Sequence, residues 1–145
     1  MRDPLHQSVR HEEARASAMG VVGVLTVDDD DAFRRLVREV IRATAGFRLV
    51  GEAACGEDAV TMAAALRPDL VLMDVRMPGI DGVEAARRIA AGASGRTAVV
   101  LMSADAQVLT PASLSGRTIG LLRKERLGPR SLRAIWDAWT AGRRS

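Results

Sequence analysis

The residues of this chain that could do chemistry stand just after apolar, β-branched runs. Val21–Val27 leads into Asp28 and Asp29, Leu70–Asp74 ends in a carboxylate, Thr97–Met102 leads into Ser103, and Thr118–Leu122 leads toward Lys124. Carboxylates gathered in one place repel, and each rises in pKa unless a cation stands among them. A hard divalent cation with oxygen ligands resolves that repulsion, and Mg2+ suits a site with few protein ligands and several waters. A hydroxyl and an ammonium beside such an ion supply what a phosphoryl group requires, namely positive charge for its oxygens and a donor for one of them. In that arrangement Asp74 is the nucleophile, because an aspartyl carboxylate can take a phosphoryl group as an acyl phosphate. Lys124 strengthens the reading: it is the single lysine among 21 basic residues, a compact point charge in a chain that otherwise uses arginine.

Each residue alone has a plainer reading. The Asp28–Asp31 run can be a helix N-terminus exploiting the macrodipole, and for Asp30 and Asp31 that reading is preferred. Asp74 can cap a turn, Ser103 can satisfy a loop, and Lys124 can be a surface charge. Their common position after strands sets them apart as a group. Met62, Met73, Met77 and Met102 form no helical stripe and read as core or loop packing. Cys55 is the one cysteine, and the two histidines, His6 and His11, lie near the N-terminus. An internal disulfide, a cysteine-based zinc site and a histidine triad in the core are therefore excluded. Cys55 lacks an evident basic partner and is given no redox role.

The elements that must bring these positions together alternate regularly. Strands are predicted at Val21–Val27, Phe47–Ala53, Leu70–Asp74, Thr97–Met102 and Thr118–Leu122. Helices are predicted between them: one carrying Phe33, Leu36, Val37, Val40 and Ile41 and stopped by Gly46, a second over Glu57–Leu66, and a third capped by Asp81 and running to about Ala91. A fourth, short or irregular, is expected over Gln107–Ser115, which contains Pro111, and a last opens at Pro129 and Ser131 with Leu132, Ile135, Trp136 and Trp139 on one face. Continuous apolar strands alternating with helices give a parallel sheet covered on both sides, and ligands of such sheets bind beyond the carboxyl ends of the strands. Residues 1–19 carry no sustained period and are expected to be a flexible tail, with one domain over 20–142 and no output domain in the chain. No apolar run reaches the roughly 20 residues of a membrane helix and no signal peptide is evident, so a soluble, cytoplasmic protein without membrane partners is expected. The net +3 is dipolar: residues 117–145 carry 8 basic and 2 acidic side chains, the rest 13 and 16. A +6 segment can attract nucleic acid or an acidic partner, but solvated helix faces produce the same count, and no recognition motif accompanies it.

The stretches LTVDDDDAFRRLV, PDLVLMDVRMPGIDGVEAARRI, VVLMSADA and GLLRKERL resemble the receiver domain of bacterial two-component response regulators, over about residues 21–140. DVRMPGIDG and LLRKERL are most similar to receivers of the LuxR type. The resemblance implies an α/β, flavodoxin-like, doubly wound parallel sheet of five strands in the order 2-1-3-4-5 with five helices. It implies Asp74 as phospho-acceptor, and Mg2+ as cofactor, held by Asp28, Asp29, Asp74 and the backbone carbonyl of Arg76. It makes Lys124 the phosphate-binding lysine and Ser103 the switch hydroxyl, and it places Arg76 and Asp105 where phosphoryl lifetime is tuned. Leu121 stands at the position of the family's aromatic switch residue, and Glu125 follows the lysine where proline is usual. Trp136 and Trp139 read as half-buried packing; on the sharper reading they join an output and dimer face made of the fourth helix, fifth strand and fifth helix.

The function so implied is a phosphorylation-dependent signalling switch, not an enzyme beyond its own phosphorylation and dephosphorylation. Its partners would be a sensor histidine kinase or phosphotransfer protein, a downstream protein target, and a second copy in a homodimer, with DNA reached only through a separate output domain. The alternative is a constitutive interaction module that keeps the fold and signals without phosphorylation, which Leu121, Glu125 and the irregular fourth helix favour and the complete acidic site opposes. A flavin-binding redox protein is a poor third, since the Asp-rich first loop would repel a flavin phosphate.

Overall fold

The computed structural model describes residues 20–92, 97–105 and 118–143. Five strands form one sheet: β1 (Val22–Val27), β2 (Phe47–Ala53), β3 (Leu70–Asp74), β4 (Ala98–Ser103) and β5 (Thr118–Arg123). Their order is β2-β1-β3-β4-β5, and every neighbouring pair is parallel. This is the flavodoxin-like arrangement, with β1 and β3 flanking the point where strand order reverses. Four α-helices lie among the described residues: α1 (Asp31–Arg42), α2 (Gly56–Leu66), α3 (Gly82–Gly92) and α4 (Pro129–Arg143), with a 3-10 turn at Lys124–Arg126. The fifth helix expected over Gln107–Ser115 and the tail expected over 1–19 lie outside the described residues. Among the described residues no helix is long and apolar enough to cross a membrane.

Strand alternation sorts the core into two clusters. Leu25, Val27, Val71, Met73, Val99 and Leu101 face α2 and α3, meeting Ala59, Ala63, Ala85, Ala86 and Ile89. Val22, Val24, Leu70, Leu72, Val100 and Met102 face the other way, against Val37, Val40 and Ile41 of α1 and Leu132 of α4. Both faces are covered, which is why these strands are apolar at nearly every position and show no polar alternation. Trp136 and Trp139 are partly buried against the second cluster, and Met73, Met77 and Met102 are buried, as core packing requires.

Local chemistry sets the element ends. Asp30 caps α1, its carboxylate accepting from the backbone N–H of Ala32 at 2.9 Å and of Phe33 at 3.3 Å. The helix stops at Arg42, before Gly46, and what Gly46 does is turn the chain into β2 with a φ of +84°. Cys55 caps α2, Asp58 N–H donating to its Sγ at 3.5 Å, and Asp81 accepts from Glu84 N–H at 2.8 Å at the start of α3. Two register shifts interrupt the ladders. On β2, Leu49 pairs with Val24 and Gly51 with Leu25, so Val50 is an extra residue; on β5, Ile119 is extra between the partners of Val99 and Val100.

Candidate functional site

The carboxyl ends of β1, β3, β4 and β5 bring the expected residues to one rim. Asp28 leaves β1 wholly buried, with its N–H bonded to the Ala53 carbonyl at 3.0 Å. One of its carboxylate oxygens accepts from Asp30 N–H at 2.9 Å. The other, Oδ2, lies 2.6 Å from Lys124 Nζ and has no other donor among the described residues. Asp74 ends β3 at 7% exposure, accepts from Arg76 N–H at 3.3 Å, and stands 3.4 Å from the same ammonium. Asp29 is exposed beside them. Carboxylate oxygens of Asp28, Asp29 and Asp74 lie within 4.8 Å of one another, a group that could hold a metal ion.

Electrostatics follow from that crowding. Burial pushes the Asp74 carboxyl up, and the neighbouring Asp28 pushes it further, against the opposing pull of Lys124. Burial by itself would lower the Lys124 ammonium, but its contacts with Asp28 and Asp74 outweigh that and hold it above the ordinary lysine value. One ammonium therefore serves two carboxylates, and the cluster still carries surplus negative charge.

The remaining expected residues occupy the same end of the sheet. Ser103, 3% exposed, closes β4 one residue beyond Met102, the β4 partner of Asp74; its Oγ accepts from Asp105 N–H at 3.0 Å. Arg76 and Asp105 are exposed in the loops after β3 and β4. Leu121 sits inside β5, paired with Leu101 and partly buried against the α2–α3 face, so it contributes packing in this structure. Glu125 ion-pairs with Arg123 at 2.6 Å, across the residue that turns toward the rim, Lys124.

Several contacts at the site escape sequence reasoning. Phe33 places its ring 4.4 Å from Lys124 Nζ. Arg34 donates to the backbone carbonyl of Asp28 and to the Asp31 carboxylate, and its Nε lies 3.7 Å from Glu52. Arg38 binds the same Glu52 at 2.7 Å, so β2 anchors the loop that presents the acids. Glu57 accepts from Ile80 N–H at 3.0 Å and pins the loop after β3 to α2. The only signal in the sequence is the one-turn spacing of Arg34 and Arg38 on α1, which places both on one face without saying what they meet.

Comparison with known proteins agrees with this architecture. The sequence profile of the response regulator receiver domain matches residues 24–133. Response regulator GacA of Pseudomonas aeruginosa is 46% identical over 69 residues, covering 48% of this chain and 32% of that protein. A protein-glutamate methylesterase/protein-glutamine glutaminase of Myxococcus xanthus is 39% identical over 109 residues, covering 74% of this chain and 31% of its own length. The chain thus spans about a third of the length of these curated relatives. Among solved structures, the response regulator domain of Thermotoga maritima CheB superposes with a TM-score of 0.72 at 27% identity, covering 81% of this chain and 96% of that one. The receiver domain of the putative response regulator NarL from Mycobacterium tuberculosis gives a TM-score of 0.68 at 33% identity, covering 81% and 95%. With the profile spanning most of the chain and the sheet order, acidic rim and strand-end lysine all in place, the chain belongs to the response regulator receiver domain family of two-component signal transduction.

Proposed function

We propose that this receiver is a phosphorylation-dependent switch in which Asp74 accepts a phosphoryl group from a sensor histidine kinase or a phosphotransfer protein. The observation that carries the reading is a buried Asp74 carboxylate 3.4 Å from the chain's sole lysine and grouped with two further carboxylates at the sheet's carboxyl end. The donor set suits Mg2+: it is all oxygen, it carries more negative charge than one ammonium balances, and exposed Asp29 opens it to water. Asp28, Asp29, Asp74 and the backbone carbonyl of Arg76 would hold the ion, which when bound supplies positive charge to the phosphoryl oxygens.

This chain's own groups do the rest. A carboxylate oxygen of Asp74 forms the new O–P bond in line with the departing P–N bond of a phosphohistidine; the bond's electron pair stays on the imidazole nitrogen, which takes a proton from solvent. Lys124 keeps Asp74 ionised for attack and then moves its contact to a phosphoryl oxygen. Ser103 Oγ offers a lone pair to Asp105 N–H and keeps its own proton to donate to another phosphoryl oxygen. Arg76 and Asp105 screen the acyl phosphate from water, so Arg76→Ala shortens the phosphoryl half-life severalfold; an unchanged half-life refutes that role. Residues 20–142 act as the receiver unit, and a downstream target or second copy reads the face formed by β5 and by α4 with Trp136 and Trp139; the fourth helix expected to join that face lies outside the described residues. Any contact with DNA would be made by an output domain and not by the receiver fold itself.

The test is intact mass after incubation with acetyl phosphate and Mg2+, alongside Asp74→Asn. A gain of about 80 Da, one phosphoryl group on a carboxylate, is expected in the parent alone. A gain in both proteins assigns the wrong aspartate. No gain in the parent, with Mg2+ bound, supports the second reading, a constitutive interaction module, which Leu121 in place of a mobile aromatic ring favours.

A further inference from the structure

We infer that Phe33 is a positioning residue for Lys124, its ring serving as an uncharged platform that holds the ammonium over the acidic rim. The inference rests on the phosphoryl-transfer reading for its purpose, and on geometry for its existence. Lys124 Nζ lies 4.4 Å from the ring centroid, well inside the roughly 6 Å reach of a cation–π contact. The same ammonium is 2.6 Å from Asp28 and 3.4 Å from Asp74. A lysine at the end of β5 is thus met from three other elements: the first turn of α1, the end of β1 and the end of β3. Its side chain is only 16% exposed, so the ring faces a largely desolvated cation, the condition in which such contacts are strongest.

The ring itself is fixed. Phe33 N–H donates to the Asp30 cap, its side chain packs against the α1–α4 cluster, and the next residue, Arg34, ties the same turn to the Asp28 carbonyl. A ring attracts the ammonium through its face without demanding a particular N–H direction. Lys124 can therefore rotate its three N–H groups from a carboxylate toward a phosphoryl oxygen while staying in place. A third carboxylate at that position would instead compete with the phosphoryl group for the same protons. Of the chain's two phenylalanines the other, Phe47, also carries a cation, Arg133 at 5.3 Å, but at the opposite end of the sheet, where β2 begins.

The sole lysine makes the test direct, because protein labelled with 13C-lysine gives one side-chain spin system. In the parent the Lys124 ε-protons are expected upfield, under the ring current, and in Phe33→Leu they move downfield. Phosphorylation by acetyl phosphate in Mg2+ is expected to slow about threefold to tenfold in Phe33→Leu. Phe33→Trp restores the rate. A trifluorinated phenylalanine at position 33, which keeps the ring's shape and removes the negative charge of its face, slows it as Phe33→Leu does; packing alone would leave that variant at the parental rate. Parental ε-protons at the Phe33→Leu position, or a fluorinated protein as fast as the parent, overturn the inference alone. A parent that shows the ring shift and takes no phosphoryl group overturns the phosphoryl-transfer reading, and with it Phe33's purpose, while the contact itself stands.

Discussion

Replacing Lys124 with methionine keeps most of the side chain's length and removes its charge, which isolates what one ammonium does for two buried carboxylates. Asp28 is wholly buried and Asp74 is 7% exposed, and their shared cation is 16% exposed. Removing one partner of a buried ion pair costs about 3–5 kcal/mol, because the charge left behind is desolvated and unpaired. The residual exposure of Lys124 and the ability of Asp74 to take up a proton place the expected loss at the low end, about 3 kcal/mol. For a domain of this size about 3 °C of melting temperature accompanies each kcal/mol, so the variant should melt about 9 °C lower in the presence of a chelator. The contribution is present throughout the neutral range. Lys124 is held above its ordinary value of 10.5, so its stabilisation is complete below that pH and lost only as pH rises through the folded-state pKa. Mg2+ at about one hundred times its dissociation constant adds about 2.7 kcal/mol to any protein that binds it only when folded. The gain should be larger in the variant, where the ion also replaces the missing cation. Urea unfolding with and without Mg2+ reads both quantities. A Lys124→Met protein within about 0.5 kcal/mol of the parent in chelator, the scatter typical of surface substitutions, refutes the pairing.

Other substitutions test the supports of the site. Gly82→Ala would place a Cβ 2.3 Å from the Asp74 carbonyl oxygen and 2.9 Å from Val75 Cα, both backbone, and should cost about 2 kcal/mol in urea unfolding. Arg34→Ala removes the donor to the Asp28 carbonyl and should cost about 1.5 kcal/mol by the same measurement; Arg34→Lys recovers only part, since a single ammonium cannot reproduce the planar fork. The Ile80 N–H holds the Glu57 carboxyl below its usual 4.5. Its stabilisation is therefore present above 4.5 and lost as pH falls through the lowered value, so the stability gap between parent and Glu57→Ala should close on acidification.

The central strands β1, β3 and β4 are legible in the sequence because both of their faces are covered and their positions had to be apolar, and the ends of these strands and of β5 then locate Asp28, Asp74, Ser103 and Lys124. Asp30 is legible as a capping residue from its place before an apolar period. The contacts that hold these groups are not legible, because each depends on how one element is rotated against another. Phe33 and Lys124 are 91 positions apart, and whether a helix residue at that spacing faces the rim or the core is decided by packing of α1 on the sheet. Glu57 shows the same limit: acidic residues in a first turn suit the helix dipole wherever they occur, and nothing local announces that this one reaches the loop after β3. Helix α1 ends at Arg42 instead of running to Gly46 because the chain tightens there, Thr44 N–H donating to the Ile41 carbonyl three residues back while the Thr44 hydroxyl bonds the Val40 carbonyl.

The single extra residue in β2 has a reach beyond its own ladder. Side chains on a strand change face at each residue, so accommodating Val50 between the partners of Val24 and Leu25 shifts the phase of everything downstream. With the bulge, Glu52 pairs with Thr26 and comes up on the α1 side, where Arg34 and Arg38 meet it. Were the same sequence laid down as an unbroken ladder, Glu52 would pair with Val27 and be driven among the alanines and methionines under α2. The grip of Arg34 on the Asp28 carbonyl thus depends on where an edge strand miscounts, although that strand contributes no carboxylate to the Asp28, Asp29 and Asp74 group. The bulge works like a half-step in a wiring loom, turning a charged lead toward its terminal, and a slip of register there would reach Asp28 as an electrical fault more than a mechanical one.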